Sequence, residues 1–331
     1  MNDGLIRIGL GTAALAFLLV ALVRWQALHH GVLDHPTERS SHSTATPRGG
    51  GLGLILGFLL VSVFGAGRPL DRLLMLLLAG TAIVGSVGLI DDRRGLSVRS
   101  RLLVHLATAS LVGIVAAADG ASLPMRLALW GWWTFWTVSS VNLVNFMDGI
   151  NGLVVSQIAI FALSLALLVG GASPTAALAV ALAGACAGFL PWNFPRARIF
   201  LGDVGSGALG YLVPVLALVA QRTSGIDFVQ AHLPLLPLYG DATWTILRRW
   251  RNGERVTTAH RSHLYQRLAN GGMGHAIVTV IYALAAAGGA LAAYAGASSK
   301  RLAWTVAYAV ATIVAGLLLH RRASRPSSAA R

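Results

Sequence analysis

Apolar residues fill this chain in long blocks, and polar residues gather in short segments between the blocks. A helix that crosses the hydrocarbon core of a bilayer needs roughly 20 mostly apolar residues. Eleven blocks approach that length: about 5 to 23, 50 to 67, 73 to 90, 102 to 118, 127 to 147, 152 to 170, 175 to 193, 206 to 221, 229 to 247, 276 to 296 and 302 to 319. The pattern predicts an all-α, polytopic integral membrane protein of about eleven transmembrane helices, folded as a single transmembrane domain over 1–331. The first block runs straight into Arg24, Trp25 and Gln26 with no small-residue cleavage site, so it reads as a helix and not as a signal peptide.

Composition strengthens that reading, since 55% of the 331 residues are apolar and only 11% are charged. The single cysteine, Cys186, lies inside an apolar block, which excludes a disulfide framework and a cysteine-based metal site. A net charge of +14 raises the question of nucleic acid. Sorting the charges by side answers it: of the 26 Arg and Lys, 19 fall on the side shared by the loops after odd-numbered blocks and the C-terminal tail. Cytoplasmic loops retain positive charge, so the N-terminus is expected in the periplasm and the C-terminus in the cytoplasm of a bacterial inner membrane. A basic membrane surface suits anionic lipid or phosphate ligands, and no nucleic acid is expected.

Acids are few, twelve in all, and costly near a bilayer. Asp34, Glu38, Asp91, Asp92, Asp148, Asp203, Asp241 and Glu254 share the cytoplasmic side. An isolated acid such as Glu38 or Asp71 reads as an ordinary helix-end charge. Five clusters on one side read differently, and they define candidate cytoplasmic loops at 25–49, 91–101, 145–152, 194–206 and 248–275.

The first cluster, residues 34 to 53, has Pro36 and Pro47 to prevent a continuous helix, and Arg39, His42 and Arg48 as candidate phosphate contacts. In the second, Asp91 and Asp92 adjoin Arg93, Arg94, Arg99 and Arg101; adjacent carboxylates call for a shared cation, and the guanidinium groups suit phosphate oxygens. The third, at 142 to 153, spaces Asn142, Asn145 and Asp148 by three residues, on one face of a helix. Carboxylate and amide oxygens there form a donor set for Mg²⁺ or for a ribose or amide group. The fourth sets Asp203 between Gly202 and Gly205 where a helix opens, so backbone N–H groups and a carboxylate meet an anion together. The fifth carries His260, Arg261, His263 and Arg267, and a histidine can donate to phosphate or act near neutral pH. Asp241, inside the ninth block, needs a buried partner that the sequence does not name.

Taken in order, these clusters resemble the polyprenyl-phosphate N-acetylhexosamine-1-phosphate transferase family, which includes the enzyme of the first lipid step of peptidoglycan synthesis. The DD pair, the NxxNxxDGxxGL run, the FLGDxGS run and the HRxH loop carry the resemblance across nearly the whole chain. It implies transfer of a sugar-1-phosphate from a UDP-N-acetylhexosamine to undecaprenyl phosphate at the cytoplasmic face, with release of UMP. It also implies a Mg²⁺ cofactor, with Mn²⁺ as a substitute, on Asn145 and Asp203. Asp91, Asp92, Asp148 and His263 are implied as catalytic, and Arg48, Arg101, Asn142, His260 and Arg261 as substrate-binding. A homodimer is compatible with the family.

Two positions depart from the family pattern: Asn151 stands where a second aspartate is common, and Tyr265 where a second histidine is usual. The chain is similar to the branch that initiates O-antigen or related surface polysaccharides, with UDP-GlcNAc or a 6-deoxy relative such as UDP-FucNAc as donor. The rival class is a secondary transporter, which predicts acids near the midplane and an inverted repeat. Here the acids gather at one interface.

Overall fold

The computed structural model describes residues 2–36, 44–64, 71–118, 120, 122–255, 258, 260–296 and 300–323; Glu38, Arg39 and His42 lie outside the described residues. The helices in chain order are α1 (Asp3–His29), α2 (Gly51–Phe64), α3 (Arg72–Arg94), α4 (Val98–Ala117), α5 (Leu123–Met147), α6 (Leu153–Val169) and α7 (Pro174–Asn193). They continue with α8 (Gly202–Ser224), α9 (Phe228–His232), α10 (Leu236–Arg251), α11 (Leu264–Leu268), α12 (Gly274–Ala295) and α13 (Arg301–Ala323). A two-stranded antiparallel hairpin, β1 (Leu33–Asp34) with β2 (Thr46–Pro47), pairs Leu33 with Pro47 and brings Arg48 back toward the helix ends.

The described part of each of the eleven apolar blocks falls largely on helix, and among the described residues seven helices are long and apolar enough to cross a membrane. These are α1, α3, α4, α7, α8, the run Leu264–Ala295, which joins α11 to α12 across a kink at Gly272, and α13. The apolar helices α2 and α6 are shorter, at 14 and 17 residues. Trp, Ser, Thr and Asn side chains hold down the hydropathy of α5. The ninth block is not one helix: α9 passes through a 3-10 turn, Leu233–Leu235, into α10, with Pro234 and Pro237 removing two backbone donors at the break.

The middle of the bundle is α8, buried along nearly its whole length. A helix apolar all round belongs in that position. Around it pack α2, α3, α5, α6 and α7, while α13 buries none of its residues and leaves Leu302, Ile313 and Leu318 exposed, as a lipid-facing helix does. The close approach to α8 depends on missing side chains. A Cβ on Gly88 would collide with the Asp203 carbonyl, and one on Gly51 with the backbone of Gly205. At the end of the bundle away from the Asp91–Asp203 junction, Asp71 and Asp227 cap α3 and α9, accepting from Leu74 N and Gln230 N at 2.8 Å each. These two acids are therefore helix caps.

Candidate active site

The C-terminus of α3, the N-termini of α4 and α8 and the segment before α2 converge, and their charges interlock. The Asp92 side chain, only 3% exposed, accepts from the backbone N–H groups of Asp203 and Val204 at 3.0 and 3.1 Å, so it closes the first turn of α8 from the neighbouring helix. Gly202 makes that contact feasible: its φ of 75° is left-handed, and a side chain there would press on the Asp92 carboxylate. Arg48 joins the two acids, 2.7 Å from Asp92 Oδ1 through Nε and 3.0 Å from Asp203 Oδ1 through Nη2. Arg101 does the same on the other side, bonding to Asp91 Oδ2 and, at 3.0 Å, to Asp203 Oδ2. Asp91 also accepts from Leu96 N. Asp203 thus lies between two guanidinium groups, one oxygen on each.

On the Arg48 side of this junction opens a cavity of about 270 Å³ whose lining includes Asp34, Arg48, Asn145, Asp148, Asn151, Asn193, Asp203, Gln266 and His275. Asn145 donates to Ser206 Oγ at 2.9 Å, and the Ser206 hydroxyl donates in turn to the Gly202 carbonyl at 3.2 Å. That chain fixes the amide and leaves the Asn145 oxygen to the cavity. Burial, reinforced by the negative charge of Asp203, pushes the Asp148 carboxyl up to about 7. Burial is the larger cause, and the charge of Arg48 opposes the shift. Among the described residues no three or more His, Cys, Asp or Glu side chains are grouped to hold a metal ion. The side-chain oxygen donors on the cavity wall are the carboxylates of Asp34, Asp148 and Asp203 and the amides of Asn145, Asn151, Asn193 and Gln266.

The turn carrying Asp148 is braced from three directions. Tyr265 OH donates to Phe146 O at 3.1 Å, Thr279 Oγ1 to Asn151 O at 2.7 Å, and Gly152 N donates to Asn193 Oδ1 at 2.6 Å. Asn151 itself donates to Pro195 O at 3.1 Å, so the departure from the family's aspartate serves as a tie between loops. Asp148 ends α5 as its C-cap, with φ −84° and ψ 58°, and of the expected stripe Asn142, Asn145, Asp148 the last two line the cavity. Asn142 bonds back to Val138 O at 2.8 Å, within its own helix, and is absent from the cavity wall.

The histidine loop lies beside the cavity, and its named residues do not line it. His260 Nδ1 lies 3.0 Å from Ser262 Oγ, and Arg261 belongs to the same loop. His263 is 3% exposed with Nδ1 3.8 Å from Asp241, and its ring lies against Phe146 and Tyr265. The partner of Asp241, unnamed by the sequence, is the start of α11: Leu264 N and Tyr265 N donate to its two oxygens at 2.8 and 3.0 Å, and Tyr282 OH adds a third bond at 2.7 Å. The loop reaches the cavity instead through Gln266, and α12 through His275. Neither was singled out from sequence, nor was Asn193, and no spacing signal marks them.

With this geometry in view, residues 74–221 match the model of glycosyl transferase family 4. The decaprenyl-phosphate N-acetylglucosaminephosphotransferase of Mycobacterium tuberculosis H37Rv is 32% identical over 322 residues, covering 83% of this chain and 78% of the relative. The chain belongs to glycosyl transferase family 4. Within this family of transferases, a Bacillus subtilis relative named "Probable undecaprenyl-phosphate N-acetylglucosaminyl 1-phosphate transferase" is 29% identical, with 80% of this chain and 77% of the relative aligned. A phospho-N-acetylmuramoyl-pentapeptide-transferase of Synechococcus is 31% identical over 68% of this chain and 70% of its own length.

Proposed function

We propose that this family 4 transferase moves an N-acetylated sugar-1-phosphate from a UDP-sugar to undecaprenyl phosphate, with Mg²⁺ as cofactor, at the cytoplasmic face of a bacterial inner membrane. The observation that carries the reading is the meeting of Asp148, Asp203 and the Asn145 amide oxygen with Arg48 and Arg101 at one end of an apolar bundle. The names of the relatives support a polyprenyl phosphate acceptor and an N-acetylglucosamine donor. UDP-GlcNAc is accordingly the first donor to test, UDP-FucNAc the second, and initiation of O-antigen or another surface polysaccharide the role.

Hard oxygen donors, the carboxylates of Asp148 and Asp203 beside the Asn145 amide, fit Mg²⁺, which keeps water and takes substrate phosphate beside one or two carboxylates. Bound there, Mg²⁺ neutralises diphosphate charge and stabilises the charge that develops at phosphorus. Asp203 and Asn145 would hold it, with Asp148 on the same cavity wall. Arg48 and Arg101, already drawn to the site by Asp92 and Asp91, exchange carboxylate for phosphate oxygens as substrates enter. A phosphate monoester is mostly ionised at neutral pH and needs no base, so Asp91 and Asp92, whose oxygens are engaged, serve to place the arginines and α8. An oxygen of the lipid phosphate attacks the sugar-bearing phosphorus. A new P–O–P bond forms, the old bridging P–O bond breaks, and its electron pair leaves on UMP.

The eleven-crossing topology, N-terminus outside and C-terminus inside, belongs to the same proposal and rests on the charge asymmetry. The test is UMP release by purified protein given undecaprenyl phosphate and either UDP-sugar. Release that stops with EDTA and returns with Mg²⁺ or Mn²⁺ is expected; metal-independent release, or none with any N-acetylated donor, would refute the reaction.

A further inference from the structure

Tyr265, at a position where the family resemblance implies a histidine, is absent from the cavity wall and is 1% exposed. Its hydroxyl donates to the carbonyl of Phe146, in the last turn of α5, where helix carbonyls lack intrahelical partners. Phe146 follows Asn145 directly and precedes Asp148 by two residues, so this bond acts on the strand of backbone that presents both side chains to the cavity. Space is reserved for it: a Cβ on Gly149 would collide with the Tyr265 hydroxyl. The other end of the strut is Asp241. Its carboxylate gathers Leu264 N, Tyr265 N, Tyr282 OH and Thr245 Oγ1, the last at 3.2 Å, and so pins the start of α11 to α10 and α12.

We infer that Asp241 and Tyr265 are positioning residues that set the Asn145–Asp148 turn for divalent-cation binding, with no contact to substrate of their own. The inference rests on the metal reading above. A buried carboxylate with four donors on three elements is a rigid anchor, and Tyr265 carries that rigidity to the turn. Gln266, the next residue of α11, lines the cavity, so one anchor places a cavity residue from each side.

Tyr265→Phe removes the hydroxyl alone and keeps the buried ring. Mn²⁺ binding to the substrate-free protein, followed by the EPR signal of the free ion, is expected to weaken by about 10-fold, the lower end for loss of an outer-shell partner. Half-maximal UMP release should need correspondingly more Mg²⁺, while the KM for undecaprenyl phosphate stays within about twofold, because an outer-shell loss acts through the metal. Gly149→Ala, which displaces the same hydroxyl, should reproduce the split. Unchanged Mn²⁺ affinity in Tyr265→Phe overturns the inference, even if the variant melts earlier. A wild type that releases no UMP, yet loses Mn²⁺ affinity with the hydroxyl, would sink the proposed reaction and leave the strut standing.

Discussion

Asp203 offers one carboxylate oxygen to Arg48 and the other to Arg101, so its charge organises both cations that would meet phosphate. Asp203→Asn keeps the shape and removes that charge. UMP release should fall by at least about 100-fold, the scale of losing one electrostatic anchor of a transition state, with elution in detergent unchanged. Asp148 gives a pH signature. Its carboxyl holds a proton up to about 7 in the folded protein, against about 3.9 in an unfolded chain. The folded state therefore binds more protons between those values, so stability falls as pH rises toward 7 and levels off above it. Thermal unfolding of metal-free protein between pH 5 and 8.5 should show that decline, and Asp148→Asn should flatten it. The chemistry of these residues was legible in sequence, because carboxylates and arginines beside apolar blocks need partners. The place of His263 was not. Whether a histidine faces a cavity or packs beside Asp241 depends on where α11 starts, and that is set by contacts 23 and 24 residues apart in the chain.

At the scale of elements, the site exists because helices come closer than side chains ordinarily allow. Gly88 lets α3 lie on the first turn of α8, which puts Asp92 within reach of two backbone donors. Gly88→Ala should cost about 1–3 kcal/mol by overpacking. Activity should fall more than the loss of folded protein explains, measured as UMP release per folded molecule against a thermal melt. The long apolar blocks announced most helices, since burial in lipid demands the same residues along each span. The break between α9 and α10 was hidden, because hydropathy averages over Pro234 and Pro237 while the backbone does not. The expected polar stripe on α5 reaches the cavity only at its end: Asn145 and Asp148 line it, while Asn142, a turn deeper in the helix, bonds to Val138 O instead.

For the whole molecule, the polar chemistry at one end of the bundle matters only if that end meets UDP-sugar. The excess of cations on that side predicts the cytoplasm. A membrane-impermeant thiol reagent added to intact cells should spare a cysteine placed at Arg94 and label one at Ser173, where α7 begins at the other end of the bundle; Cys186 is buried and offers no background. The reverse pattern would put the site outside. The central claim, transfer of sugar and phosphate together, is tested most directly by UDP-GlcNAc carrying ³²P on either phosphorus. Label on the sugar-bearing phosphorus should pass into the lipid fraction, while label on the uridine-bearing phosphorus stays in UMP. Sugar reaching the lipid with both labels left in water would contradict it.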